Sequence, residues 1–168
     1  MKTIFLLFIL SALALSSCTP TTNDAVKYND SMIDEQIKIV KLFDSLEKCL
    51  DSNLTGQLLP VHKKLLKQIE TSTEIINKVE DFDKSNDYKR NIKTLFEVYK
   101  DVAESEYNKI IEIYLLPDTL YTKEIEQKFN SYYESAYNKI KTQMEKFDQF
   151  QKGFSKKYGF ELVDNKVE

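Results

Sequence analysis

Residues 87–116 read DYKRNIKTLFEVYKDVAESEYNKIIEIYLL, and this stretch decides the fold. Ile92, Leu95, Phe96, Tyr99, Val102, Ala103, Ile110 and Ile113 recur at helical spacing, so an α-helix gathers them on one side and leaves the lysines and acids on the other. Neither glycine nor proline interrupts the run. Pro117-Asp118 closes it, because the residue before a proline is pushed out of the helical region. A helix with a single apolar stripe has to bury that stripe against other helices.

Those neighbours lie to either side. Residues 24–51 place Val26, Ile33, Ile37, Val40, Phe43 and Leu50 on one face and stop at Asp51-Ser52-Asn53. A second helix is expected from about Leu59, with Pro60 in its first turn, through Val61, Leu65, Ile69, Ile76 and Val79 to about Phe82. The longest runs from about Thr119 to Lys157 and carries Ile125, Phe129, Tyr133, Ala136, Ile140, Phe147 and Phe154. Short polar loops make antiparallel neighbours the simplest partners, so the expected fold is all-α, an up-down-up-down four-helix bundle over residues 24–168. With three glycines and three prolines in 168 residues, the chain has little else to punctuate it.

The N-terminus is of another kind. Lys2 precedes a run from Ile4 to Leu15 broken only by Ser11. At about 1.5 Å per residue that run spans roughly 18 Å, too short for a hydrocarbon core of about 30 Å, so residues 1–17 read as a signal peptide. Leu15-Ser16-Ser17-Cys18 resembles a bacterial lipobox. The resemblance implies cleavage before Cys18, a lipid on its thiol, and residues 18–23 as lipidated cysteine and tether. Two or more acyl chains hold a protein on a membrane durably where one does not. The lipobox, the tether, then Tyr28-Asn29-Asp30 and Gln36 are similar to helical surface lipoproteins of the leptospiral and Bacteroidetes type. That likeness implies an envelope location and a helical bundle, and it carries no activity. Thr19 after the cysteine is not the aspartate associated with inner-membrane retention, which points to the outer membrane.

Composition excludes several classes. The 24 basic and 27 acidic side chains leave a net charge of −3, and Arg90 is the lone arginine, so nucleic acid is not an expected partner. Cys49, left single once Cys18 is lipidated, reads as a small half-buried hydrophobe far from a base, since the one histidine, His62, lies on the next helix. Asp81, Asp83, Ser85 and Asp87 alternate as in a calcium loop, but Asn86 and Ile92 stand where that loop needs glycine and glutamate. His62 lacks the Glu-x-x-His partner of a di-iron bundle. No metal, cofactor or catalytic residue is expected, and the chain reads as non-enzymatic.

Polar residues on the apolar stripes are the remaining candidates. Asn29 and Gln36 lie seven apart inside the first stripe, Ser72 inside the second, and Glu106 inside the third. A buried amide without a partner costs about 1–3 kcal/mol, so each of them must pair, meet water or face a ligand. Glu106 is expected to meet a tyrosine hydroxyl of the last helix or a lysine from its flank; only the former, with a void, makes a site. Ten tyrosines and no tryptophan add amphipathic area, with Tyr132 expected to be the most exposed of those in the last two helices. Glu104-Ser105-Glu106-Tyr107-Asn108-Lys109-Ile110 recurs as Glu134-Ser135-Ala136-Tyr137-Asn138-Lys139-Ile140; the likeness fades outside that window and reads as convergence in composition. The expected function is a lipid-anchored envelope protein that binds a protein partner or organises the envelope. A small-ligand carrier with a polar pocket around Asn29, Gln36 or Glu106 is the alternative.

Overall fold

The computed structural model describes residues 20–163, and over these the chain is an all-α helical bundle. Cys18 and residues 1–17, where a signal peptide is expected, lie outside the described residues. Helix α1 spans Thr22–Asp51, α2 Thr55–Lys78, α3 Asp87–Val102, α4 Asn108–Tyr114 and α5 Lys123–Tyr158. Between α3 and α4 the chain does not leave the helical region: residues Ala103–Tyr107 form a π turn that joins them into one rod.

Residues 22 and 23, assigned to the tether by sequence, belong to the first turn of α1. Thr21 and Asp24 form a capping box there, the Asp24 amide donating to the Thr21 hydroxyl and the Thr21 amide to the Asp24 carboxylate. At its other end α1 closes with Asn53 left-handed (φ 53°), the Leu54 amide bonding Cys49 O at 2.9 Å and the Asn53 amide Leu50 O at 3.3 Å. That closure turns the chain sharply enough for α2 to start at Thr55, four residues ahead of expectation. Pro60 therefore sits in the second turn of α2 rather than the first, and its missing N–H leaves the Gly56 carbonyl without its usual partner. Helix α2 also ends early, at Lys78. Phe82 and Ser85 then pair across Asp83 and Lys84, both left-handed at φ 48° and 64°, and the ring of Phe82 is buried under the bundle's end.

Heptads build the core. Ala25, Met32, Ile39 and Leu46 are seven apart and fully buried, with Asn29, Phe43 and Leu50 buried four places after the first, third and fourth of them. The expected row on Val26, Ile37 and Val40 is half-buried, a flank of the true stripe. In α2, Leu58, Leu65 and Ser72 alternate in the same way with His62, Ile69 and Ile76. The rod α3–α4 begins with Tyr88, Leu95 and Val102 at sevens, but that row resumes at Ile110, eight further on, with Ala103 and Tyr107 buried between them. An unbroken helix would present Lys109 instead. The π turn absorbs the extra residue and restores an apolar face.

Neighbouring helices pack α1 on α2, α2 on α3, and the α3–α4 rod on α5. Cross-links fix their ends. Thr22 Oγ1 donates to Tyr158 O at 2.8 Å, while Tyr114 Oη donates to Leu50 O at 2.5 Å. The start of α1 thus meets the end of α5, whose Tyr158 ring also touches Phe82 of the 79–86 turn, and the end of α4 meets the end of α1. Among the described residues no helix is long and apolar enough to cross a membrane.

Candidate functional site

Asn29 is buried and ties three helices. Its Oδ1 accepts from Tyr88 Oη at 2.7 Å and from Gln151 Nε2 at 3.0 Å, and the same Gln151 amide reaches Tyr88 Oη at 3.2 Å. Its own amide donates to Asp30 Oδ1 at 3.1 Å, so the side chain is satisfied on both sides. Burial pushes the Tyr88 phenol well above its ordinary range, which keeps it a donor. Gln36 is only half-buried; it donates to Tyr99 Oη at 3.3 Å, and burial raises that phenol to about 12.

Ser72 is fully buried against a group that sequence reasoning missed. Glu35 is 5% exposed, accepts from Ser72 Oγ at 2.8 Å and is ion-paired with Lys38 one turn on. A serine inside the α2 stripe required a polar partner across the interface, which was the available signal. His62 was set aside with Cys49, yet it is buried and its Nε2 lies 2.7 Å from Ala103 O, the first carbonyl of the π turn. A carbonyl only accepts, so Nε2 carries the proton.

Glu106 is buried within that π turn. Its Oε1 accepts from Ser135 Oγ and from Lys139 Nζ, both at 2.9 Å, and Lys139 also reaches Asp101 at 2.7 Å. The partner is thus the flanking lysine, with a serine in place of the tyrosine; the other oxygen, Oε2, is buried with no hydrogen bond. Tyr107, next in the turn, donates to Glu47 on α1, and burial raises both groups' pKa. Asn29, Gln36, Ser72 and Glu106 therefore belong to four separate bonded sets. They do not form one polar pocket.

Two clefts are lined by none of the four. The larger, about 380 Å³, is polar; its Lys89 pairs with Asp81 and its Arg90 with Asp87. The other, about 280 Å³, lies where the 79–86 turn and the start of α3 meet the last turns of α5, between Phe82, Tyr88, Phe150, Phe154 and Tyr158. At its rim Asp83 accepts from Lys157 and from Tyr158 Oη, which hold its carboxyl below the usual range. Of the eight large apolar side chains exposed among the described residues, Leu54, Leu59, Leu115, Leu120 and Tyr121 lie in or beside the α1–α2 and α4–α5 connections, while Ile75, Tyr137 and Val163 lie elsewhere. The tyrosine left most open on α5 is Tyr137, 61% exposed, rather than Tyr132, which is half-buried.

Among the described residues no group of three or more histidine, cysteine or acidic side chains is placed to hold a metal ion. No protein-family model, curated protein or solved structure matches the chain.

Proposed function

We propose that the chain is a lipid-anchored, non-enzymatic bacterial envelope protein that holds a protein partner at the end of the bundle remote from its anchor, in the manner of the helical surface lipoproteins it resembles. The observation that carries this reading is the set of exposed leucines with Tyr121 at the far end. Five of the eight large apolar side chains exposed among the described residues lie in or beside the α1–α2 and α4–α5 connections, and a concentration of such groups marks an interaction surface where scattered ones are ordinary. The helices run up-down-up-down, a reading supported by the Thr22–Tyr158 link at one end and the Tyr114–Leu50 link at the other. Cys18 is the lipidated residue, which puts the membrane at the end where α1 begins. The 30 residues of α1, at about 1.5 Å each, then set the leucines roughly 45 Å from it. An outer-membrane location is favoured by Thr19.

Capture from native membranes tests this. Wild-type protein and a Leu59→Ser/Leu120→Ser double variant are cross-linked in the cell and their adducts compared. A defined protein adduct should be present for the wild type and lost for the variant. Identical adducts from both would reject the tip as the contact. Cys18→Ser should move the protein from the membrane to the soluble fraction; a variant that stays in the membrane rejects the anchor.

A further inference from the structure

Helix α5 carries a glycine, Gly153, in its interior, and a Cβ built there would meet nothing within 4 Å. Packing does not require that glycine, and glycine weakens a helix relative to alanine. What its bareness does is leave a gap between Phe150 and Phe154 in the wall of the smaller cleft. Of the rings around the gap, Phe82 and Tyr158 meet at 85° with centroids 5.1 Å apart, Tyr88 and Phe150 at 82° and 5.3 Å, and Tyr88 and Phe154 at 83° and 4.9 Å, whereas Phe150 and Phe154 lie at 30° and 6.4 Å. Phe82 and Tyr88 each make edge-to-face contact with Phe154 and all three are buried, so the half-buried Phe150 and Tyr158 give the cleft its open aromatic surface, and the negative faces of aromatic rings attract cations.

The cleft already shows that attraction. Lys157 Nζ lies 4.9 Å from the Tyr158 ring centroid and 2.7 Å from Asp83 Oδ2. Asp87 adds a second carboxylate to the lining, one oxygen taken by Arg90 and the other by the Ser85 hydroxyl. Asp83 is paired with Lys157 and Asp87 with Arg90, so the rim carries no surplus of either sign, and the aromatic walls suit methyl or methylene groups better than water.

We propose that this cleft is a binding site for an alkylammonium group, in which the Lys157 side chain acts as built-in occupant and competitor. A volume of about 280 Å³ has room for a quaternary ammonium head and part of the chain attached to it. The same chemistry is available from a free amine such as choline or from a lipid headgroup.

Titration of the full chain with choline, followed by amide NMR shifts and tyrosine fluorescence, should give saturable changes confined to residues around Phe82 and Phe150–Tyr158. Lys157→Ala should tighten binding about two- to fivefold, the size of one exposed cation–π contact. Gly153→Leu should abolish binding, and Gly153→Ala should weaken it while raising the melting temperature. The second variant decides the matter should the first not fold. The neutral carbon isostere of choline, 3,3-dimethylbutanol, should bind at least tenfold more weakly than choline. The Cys18→Ser chain mixed with phosphatidylcholine vesicles separates the sources: shifts at the same residues assign a headgroup, and shifts with free choline alone assign a soluble amine. No saturable change with either the wild type or Lys157→Ala, equal binding of the isostere, or undiminished binding to Gly153→Ala would overturn the proposal.

Discussion

Glu104–Ile110 and Glu134–Ile140 share six of seven residues and lead different lives. The first enters a π turn and ends with Tyr107 at 6% exposure, its hydroxyl on Glu47. The second is plain α-helix with Tyr137 at 61%, beside little more than Lys141, whose ammonium lies 5.7 Å from its ring. The two also touch, since Glu106, standing where the second segment has Ala136, is held by Ser135 and Lys139 of that second segment. Local propensity is almost the same in both. What separates them is surroundings: the slip in core spacing from Val102 to Ile110, the His62 N–H waiting for the Ala103 carbonyl, and the Glu47 side chain waiting for Tyr107. A π turn is kept where three neighbouring helices grip it.

The contrast can be broken most forcefully at the tyrosines. Tyr107→Ala should cost about 3–5 kcal/mol in urea unfolding, as expected for a large buried aromatic, whereas Tyr137→Ala should stay within about 0.5 kcal/mol. Comparable losses at the two positions would mean that the segments are environmentally alike after all. Glu106→Ala makes the two heptapeptides identical and should cost about 1–3 kcal/mol through the lost charged hydrogen bonds. The π turn should survive it, because the spacing of Val102 and Ile110 is untouched; backbone chemical shifts reverting to those of an α-helix over 103–107 would show that the carboxylate, not the register, imposes the turn.

The mildest test acts only in alkali. Burial holds the phenols of Tyr28 and Tyr99 up at about 12, above the ordinary 10, so the folded state keeps their protons longer than the unfolded chain does. Their contribution to stability is therefore whole below pH 10 and drains away as pH rises toward 12. Urea midpoints measured at pH 8, 10 and 11.5 should be flat over the first interval and fall over the second. A midpoint unchanged at pH 11.5 would argue that these rings are solvated.

Much of this architecture was legible in the chain. Stripes at helical spacing located the helices, and Asn29, Ser72 and Glu106 are buried as polar members of those stripes. Their partners were not legible. Gln151, 122 residues from Asn29, meets it only once α5 has folded back, and nothing local marks Glu35 as the acceptor for Ser72. The π turn did leave a trace, the eight-residue step from Val102 to Ile110, but a one-residue slip is easily absorbed by eye into helical spacing. The row Ala25–Met32–Ile39–Leu46 escaped for a different reason: it opens on a small side chain, and larger residues beside it drew the stripe about a third of a turn away. The stop expected at Asp51-Ser52-Asn53 is where the left-handed closure falls, on Asn53.

The clasp between Thr22 and Tyr158 makes the bundle, in topological terms, almost a closed ring. The described chain begins and ends at neighbouring points, and folds whose ends meet tolerate being joined there and reopened elsewhere. A permuted chain with its ends linked and a new opening beside Asp118, in the connection before α5, would keep the same pairs of neighbouring helices and carry its termini at that connection instead. The order in which the helices are strung would then be a matter of where the ring is cut.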